Sequence, residues 1–221
     1  MNMVVAQDPP PSNESINGMD ELSSAKPKES LNFLIIGAGS RGHAYASALQ
    51  ECTSDISIRI VGIAEPSASK RKAFQKRYIN HGEQCHVFET WQQYADFEEA
   101  RQIRFKNGKY TDGAVDGVFV CVLDEMHAEV ITALAPLGLN IMSEKPLATT
   151  LIDCLKISRS LQPPGMVTSR AIFSIGHVLR YSPHNMLLRK LLLQERVIGD
   201  IISIEHTEPV GWWHFSHSYV R

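Results

Sequence analysis

The sequence has no apolar run approaching the length of a membrane span, no C-x-x-C pair and no run rich in Lys and Arg. Each absence removes a class of function. Without an unbroken apolar segment of about 20 residues there is no transmembrane-helix candidate. Cys52, Cys85, Cys121 and Cys154 stand far apart, which argues against a zinc site or a disulfide framework and fits a reducing compartment. With a formal net charge of -2 and no basic cluster, neither nucleic acid nor a membrane surface is an expected partner. Residues 1–30 lack the basic and apolar regions of a signal peptide and read as a disordered Pro/Ser-rich tail on a cytoplasmic protein.

What is present is a globular composition, 43% hydrophobic and 21% charged over 221 residues. The run LNFLII from Leu31 has the continuous apolar character of a strand covered on both faces, and it ends in GAGSRG before the Ala-rich HAYASAL. ISIRIVGIAE reads as a second strand and SASKRKAFQKRY as its helix, with Ser67 as N-cap and Phe74 and Tyr78 on one face. VFET and WQQYAD suggest a short third pair, and the polar stretch from Glu98 to Asp116 predicts an exposed loop. GVFVCV with DEMHAEVITALAPLG, then LNIM with TTLIDCLKISRSLQ, continue the alternation. Such repetition predicts an α/β fold, a Rossmann-type doubly wound parallel sheet with helices on both faces.

From Arg170 the pattern changes. RAIFSIGHVLRY reads as one more strand, and SPHNMLLRKLLLQ as a helix with Ser182 as N-cap, Pro183 first and Gly199 as a stop. IISIEHTEPV alternates like a strand with one wet face. The expected organisation is a tail (1–30), a Rossmann domain (31–178) and the incomplete start of an α+β substrate and oligomerisation domain (179–221).

Gly37 to Gly42 spell G-x-G-x-x-G between a buried strand and a small-residue helix, with an acidic residue about twenty positions further on. Gly37 permits the tight turn, Gly39 lets the backbone approach a pyrophosphate, and Gly42 lets the helix pack closely. The helix N-terminus then faces the phosphates. Glu65, ending the second strand, suits the adenosine ribose hydroxyls, and its charge disfavours a 2'-phosphate, so NAD is expected rather than NADP. Lys70 and Arg71 argue the reverse but suit a solvated helix face.

His127, in VLDEMHAE, stands either beside the cofactor or simply at the start of a helix. Lys145, in SEKPLA, follows LNIM by two residues and so lies at the carboxyl edge of the sheet with the glycine turn. There its ammonium can hold a substrate hydroxyl, stabilise a developing alkoxide, or act as an acid or base, which predicts a functional lysine rather than a surface one. Pro146 restricts Lys145 to extended conformations. His214 and His217 form H-x-x-H, but on a strand their rings would face opposite ways, and no third ligand is near in sequence, so no metal is expected.

These residues resemble the glucose-fructose oxidoreductase, inositol dehydrogenase and MocA family of NAD(P)-dependent enzymes. The likeness rests on GAGSRG, IAEP, VLDEMHAE, SEKPLA, GHVLRYSP and VIGDI, and runs from about Asn32 to Arg221. It implies hydride transfer between nicotinamide and a hydroxyl carbon of a sugar, polyol or related compound. It also implies a cofactor site of Gly37, Gly39, Ser40, Arg41, Gly42, Glu65, Leu123, His127, Glu144 and Lys145, with Lys145 catalytic and Glu144 near the nicotinamide ribose. Trp213 and His214 could line the substrate side or pack in a new core; Arg180 and Tyr181 are weighed as structural. Homo-oligomerisation is implied through the C-terminal half where that half is complete. Family members continue well beyond this point, and their acid/base histidine, often with an aspartate nearby, comes from a helix this sequence does not contain. The expectation is therefore a fragment, or a shortened protein that binds cofactor without turnover; NAD-dependent glycosidase chemistry, used by a few relatives, is a further alternative.

Overall fold

The computed structural model describes residues 30–53, 55–79, 85–108, 114–162 and 171–218, so the predicted tail lies, apart from Ser30, outside the described residues. Strands β1 (Ser30–Ile36), β2 (Ser57–Ala64), β3 (His86–Phe88), β4 (Gly117–Val120), β5 (Asn140–Ser143) and β6 (Phe173–Ile175) pair in parallel in the order β3-β2-β1-β4-β5-β6. The order reverses between β1 and β4, which opens a crevice at the carboxyl ends of the strands there.

Both faces of β1 are apolar because both are covered. Alternate residues point to opposite sides, and Leu34 and Ile36 join Tyr94, Val118, Val130, Leu134 and Ile141 in one core. Ile35 joins Ala46, Ile63, Phe74 and Tyr78 in the other. Helices α1 (Ser40–Glu51) and α2 (Ala68–Tyr78) supply the second core; α3 (Trp91–Lys106) and α4 (His127–Leu134) supply the first, with α5 (Leu151–Leu161) packed on α4.

Three helices begin with a side-chain cap: the hydroxyls of Ser67, Thr90 and Thr150 accept the backbone N–H of Lys70, Gln93 and Asp153. Helix α1 begins at Gly39 without one. The predicted loop from Glu98 is a correction, since α3 runs on to Lys106. Its polarity is consumed within the helix. Glu98, fully buried, accepts from Arg101 Nε (2.8 Å) and Nη2 (2.6 Å) and from Gln102 Nε2 (3.0 Å), pairs at helical spacing.

At the amino edge, side chains tie the strands together. Arg59 Nε donates to Asn32 Oδ1 (3.1 Å), and the Asn32 N–H donates to Asp116 Oδ2 (2.8 Å). Asn140 Nδ2 donates to the Asp116 carbonyl (2.7 Å), while Asn140 Oδ1 accepts the Ile172 N–H (2.8 Å).

After β6 the expected elements change. The strand read into RAIFSIGHVLRY is confined to Phe173–Ile175 and gives way to a 3-10 turn, Val178–Tyr181. Helix α6 (Pro183–Arg189) does start at Pro183, but the Ser182 side chain makes no cap bond, and a π turn (Lys190–Gln194) ends it before Gly199. Residues 201–210 form no strand; Ile202 and Ile204 are 98% and 74% exposed. Alternating hydropathy does not make a strand where no neighbour supplies the ladder hydrogen bonds. Helix α7 (Trp212–Ser218) replaces the strand expected under His214 and His217, so the opposite-face reasoning for that pair does not apply. Among the described residues no group of three His, Cys, Asp or Glu could hold a metal ion, and no helix is long and apolar enough to cross a membrane.

Candidate functional site

The carboxyl edge of the sheet carries the predicted residues, and backbone bonds fix each turn to its neighbour. The Gly37 N–H donates to the Ala64 carbonyl (2.8 Å), Cys121 to Ile36 (2.8 Å), Glu144 to Val120 (2.9 Å) and Gly176 to Ser143 (2.8 Å). Gly37 has φ +100°, and a Cβ there would lie 2.5 Å from the Cys121 carbonyl oxygen. A Cβ on Gly42 would overlap the Gly37 carbonyl oxygen, so the helix can approach the turn only as glycine. At Gly39 the same construction meets nothing within 4 Å.

These observations decide whether a dinucleotide fits. The first intrahelical bond of α1 runs from His43 to Gly39, which leaves the N–H groups of Ser40, Arg41 and Gly42 beyond the reach of the helix's own carbonyls. No side chain caps them, and the space over Gly39 is open. Unsatisfied donors at the positive end of a helix suit a pyrophosphate.

Glu65 is 8% exposed, and its two carboxylate oxygens accept the N–H of Ala38 and of Ser67, each at 2.9 Å. Glu65 thereby joins the glycine turn to the start of α2. Arg71 is not on a solvated face as expected. Its side chain is 11% exposed, and it donates to the Glu65 and Pro66 carbonyls (2.5 and 2.7 Å) and to Glu89 (2.9 Å). Leu123, half exposed, follows β4 at the switch point.

Glu144 is 6% exposed; its Oε1 accepts the Tyr45 hydroxyl (2.7 Å), and its Oε2 accepts the Lys145 N–H (3.2 Å) with Arg41 Nε 3.9 Å away. Burial, reinforced by the bond to Glu144, pushes the Tyr45 phenol above its ordinary range. Burial and then the Glu144 charge push the Cys121 thiol up to about 12. Gly176 closes the cluster, since a Cβ there would lie 2.7 Å from the Tyr45 hydroxyl and 3.1 Å from Glu144 Oε1. Sequence reasoning missed Tyr45 and Gly176; the only trace was a tyrosine standing among the small residues of HAYASAL.

Lys145 is exposed, and among the described residues its ammonium has no hydrogen-bond or ion-pair partner. The Lys145–Pro146 peptide bond is cis. His127 is the first residue of α4 and is fully buried. Its Nδ1 lies 2.6 Å from the Pro146 carbonyl, and its Nε2 has no partner among the described residues. Trp213 (70% exposed) and His214 lie on α7, outside the sheet.

Residues 31–169, more than half of the chain, match the oxidoreductase family with an NAD-binding Rossmann fold. The 2,7-anhydro-N-acetylneuraminate hydratase of Mediterraneibacter gnavus is 31% identical over 103 residues, which cover 47% of this chain and 26% of that protein. Inositol 2-dehydrogenase 2 of Saccharopolyspora erythraea is likewise 31% identical over 103 residues, covering 47% and 29%. The myo-inositol 2-dehydrogenase structure from Lactobacillus plantarum shares the fold with a TM-score of 0.60 at 18% identity, covering 78% of this chain and 43% of that one. The matched region thus spans less than a third of each of these two relatives' own length. With its strand order, its glycine turn and this match in agreement, the chain belongs to the glucose-fructose oxidoreductase, inositol dehydrogenase and MocA oxidoreductase family and carries its NAD(P)-binding Rossmann domain.

Proposed function

We propose that the chain is part of an oxidoreductase that moves hydride between a nicotinamide cofactor and a hydroxyl carbon of a sugar, polyol or related compound. The observation that carries this reading is the uncapped N-terminus of α1 over an open Gly39, on the same sheet edge as Glu65 and the Glu144–Lys145 turn. Ser40, Arg41 and Gly42 would hold the pyrophosphate through their N–H groups, and Glu65 would accept the adenosine ribose hydroxyls through its remaining lone pairs. The bound nicotinamide supplies the hydride acceptor. Lys145 would donate to the reacting oxygen and stabilise the negative charge that develops there. Residues 31–178 form the nucleotide-binding domain in this reading, with 179–221 opening the substrate half.

NAD is preferred over NADP because the Glu65 carboxylate opposes a 2'-phosphate, and the Arg71 guanidinium is held by two carbonyls and Glu89. Purified protein titrated with each nucleotide, then incubated with sugars and polyols while nicotinamide absorbance is followed, tests both parts. Tighter NADP binding overturns the preference. A second reading, nucleotide binding without turnover, draws on Lys145 having no proton-exchanging partner among the described residues. Binding without any absorbance change across the panel decides for it.

A further inference from the structure

Both neighbours of Lys145 in the chain are gripped from outside the turn, by different helices. Tyr45, in the second turn of α1, donates its hydroxyl to Glu144 Oε1 at 2.7 Å, and Glu144 is 6% exposed. His127, opening α4, sits 2.6 Å by Nδ1 from the Pro146 carbonyl and is fully buried. A carbonyl oxygen only accepts, so Nδ1 carries the proton in that bond. Gly176 leaves no volume for a side chain that would displace the Tyr45 hydroxyl or Glu144. Lys145 itself is exposed with no side-chain partner among the described residues, so nothing but its backbone sets its direction.

We propose that Tyr45 and His127 are positioning residues that brace the Glu144–Pro146 turn from both sides and so aim Lys145 at the ligand crevice. This rests on the reading of Lys145 as the residue that meets substrate beside the nicotinamide. The brace also has a direction of influence. Tyr45 belongs to the helix whose first turn forms the phosphate cradle, so the cradle and the lysine turn are parts of one bonded unit.

The test measures acetylation of the Lys145 amine by mass spectrometry, with and without saturating NAD, beside NAD affinity by titration. In the wild-type chain NAD slows modification of Lys145. In Tyr45→Phe and in His127→Phe, each measured at an NAD concentration that saturates it, that protection falls by about fivefold, the consequence of one lost hydrogen bond. His127→Asn, whose amide can still donate to the Pro146 carbonyl, restores the protection. A purely structural role predicts the opposite pattern: a lower melting temperature with protection intact, and no rescue by Asn. Unchanged protection in both Phe variants overturns the proposal alone. Absence of protection in a wild-type chain that binds NAD overturns the placement of Lys145 and the proposal with it; absence of NAD binding overturns the functional reading. Should the Phe variants fail to fold, the ring nitrogen shifts of wild-type His127 decide: a proton on Nε2 rather than Nδ1 overturns the brace.

Discussion

Residues 30–175 and residues 176–218 carry the same kinds of local signal and have opposite fates. Both contain apolar runs, helix starts and turn glycines. In the first region these give a sheet with two cores; beyond Gly176 no described residue is buried, and Tyr181, Trp212 and Trp213 are 71%, 79% and 70% exposed. Hydropathy states what a segment can bury, whereas burial itself needs a neighbour with a matching face. β1 has helices on either side of it, and the alternating 201–210 segment has no strand beside it among the described residues.

Substitutions can break or sharpen this contrast. Leu34→Ala, at a fully buried position, is expected to cost about 2–5 kcal/mol in urea unfolding. Gly42→Ala forces a Cβ against the Gly37 carbonyl and is expected to weaken nucleotide binding by about tenfold or more in a direct titration. Thr150→Ala removes the cap of α5 and is expected to cost about 1 kcal/mol by the same unfolding assay.

Asp153 supplies a pH test on the same helix. Its bond to Lys156, then that to Thr150, hold its carboxyl below the usual carboxylate range. The stabilisation is present above the unfolded value, about 3.9, and is lost as pH falls through the lower folded value. Urea midpoints measured from neutral pH down through that range should fall less in Asp153→Asn than in the parent chain. The smallest effect belongs to the exposed region: Ile202→Ala is expected to shift stability by no more than about 0.5 kcal/mol, and a core-sized loss there would show that the segment is covered in solution.

The parallel sheet was legible because its signals are local and repeated: a continuous apolar run, a turn glycine, a capping hydroxyl. Ser67 announces a helix start, and Gly37 and Gly42 announce the tight turn whose need for glycine the structure shows. What stayed hidden depends on long-range pairs. Glu98 read as surface polarity because its partners, Arg101 and Gln102, count only once the helix exists and turns them inward. Tyr45 meets Glu144 across 99 residues, and His127 meets Pro146 across 19, so neither spacing marks a site. Lys145 was placed correctly on the edge by the length of LNIM, but its exposure was not legible, because a side chain's surroundings are set by elements far along the chain.

The hydrogen bonds at the opposite end of the sheet bear on how faithfully that edge is built. A strand that pairs one residue out of step turns each of its side chains to the wrong face, so Ile35 would exchange cores with Leu34 and Ile36. Hydrophobicity alone proofreads such a mistake poorly, since both cores accept branched aliphatic chains. Asn32, Asp116 and Asn140 read the alignment by geometry instead, because their bonds join β1, β2 and β5 to the residues just before β4 and β6 and are satisfied in the native pairing. A misaligned sheet would forfeit them together, and the carboxyl edge inherits its accuracy from residues at the other end of the central strands.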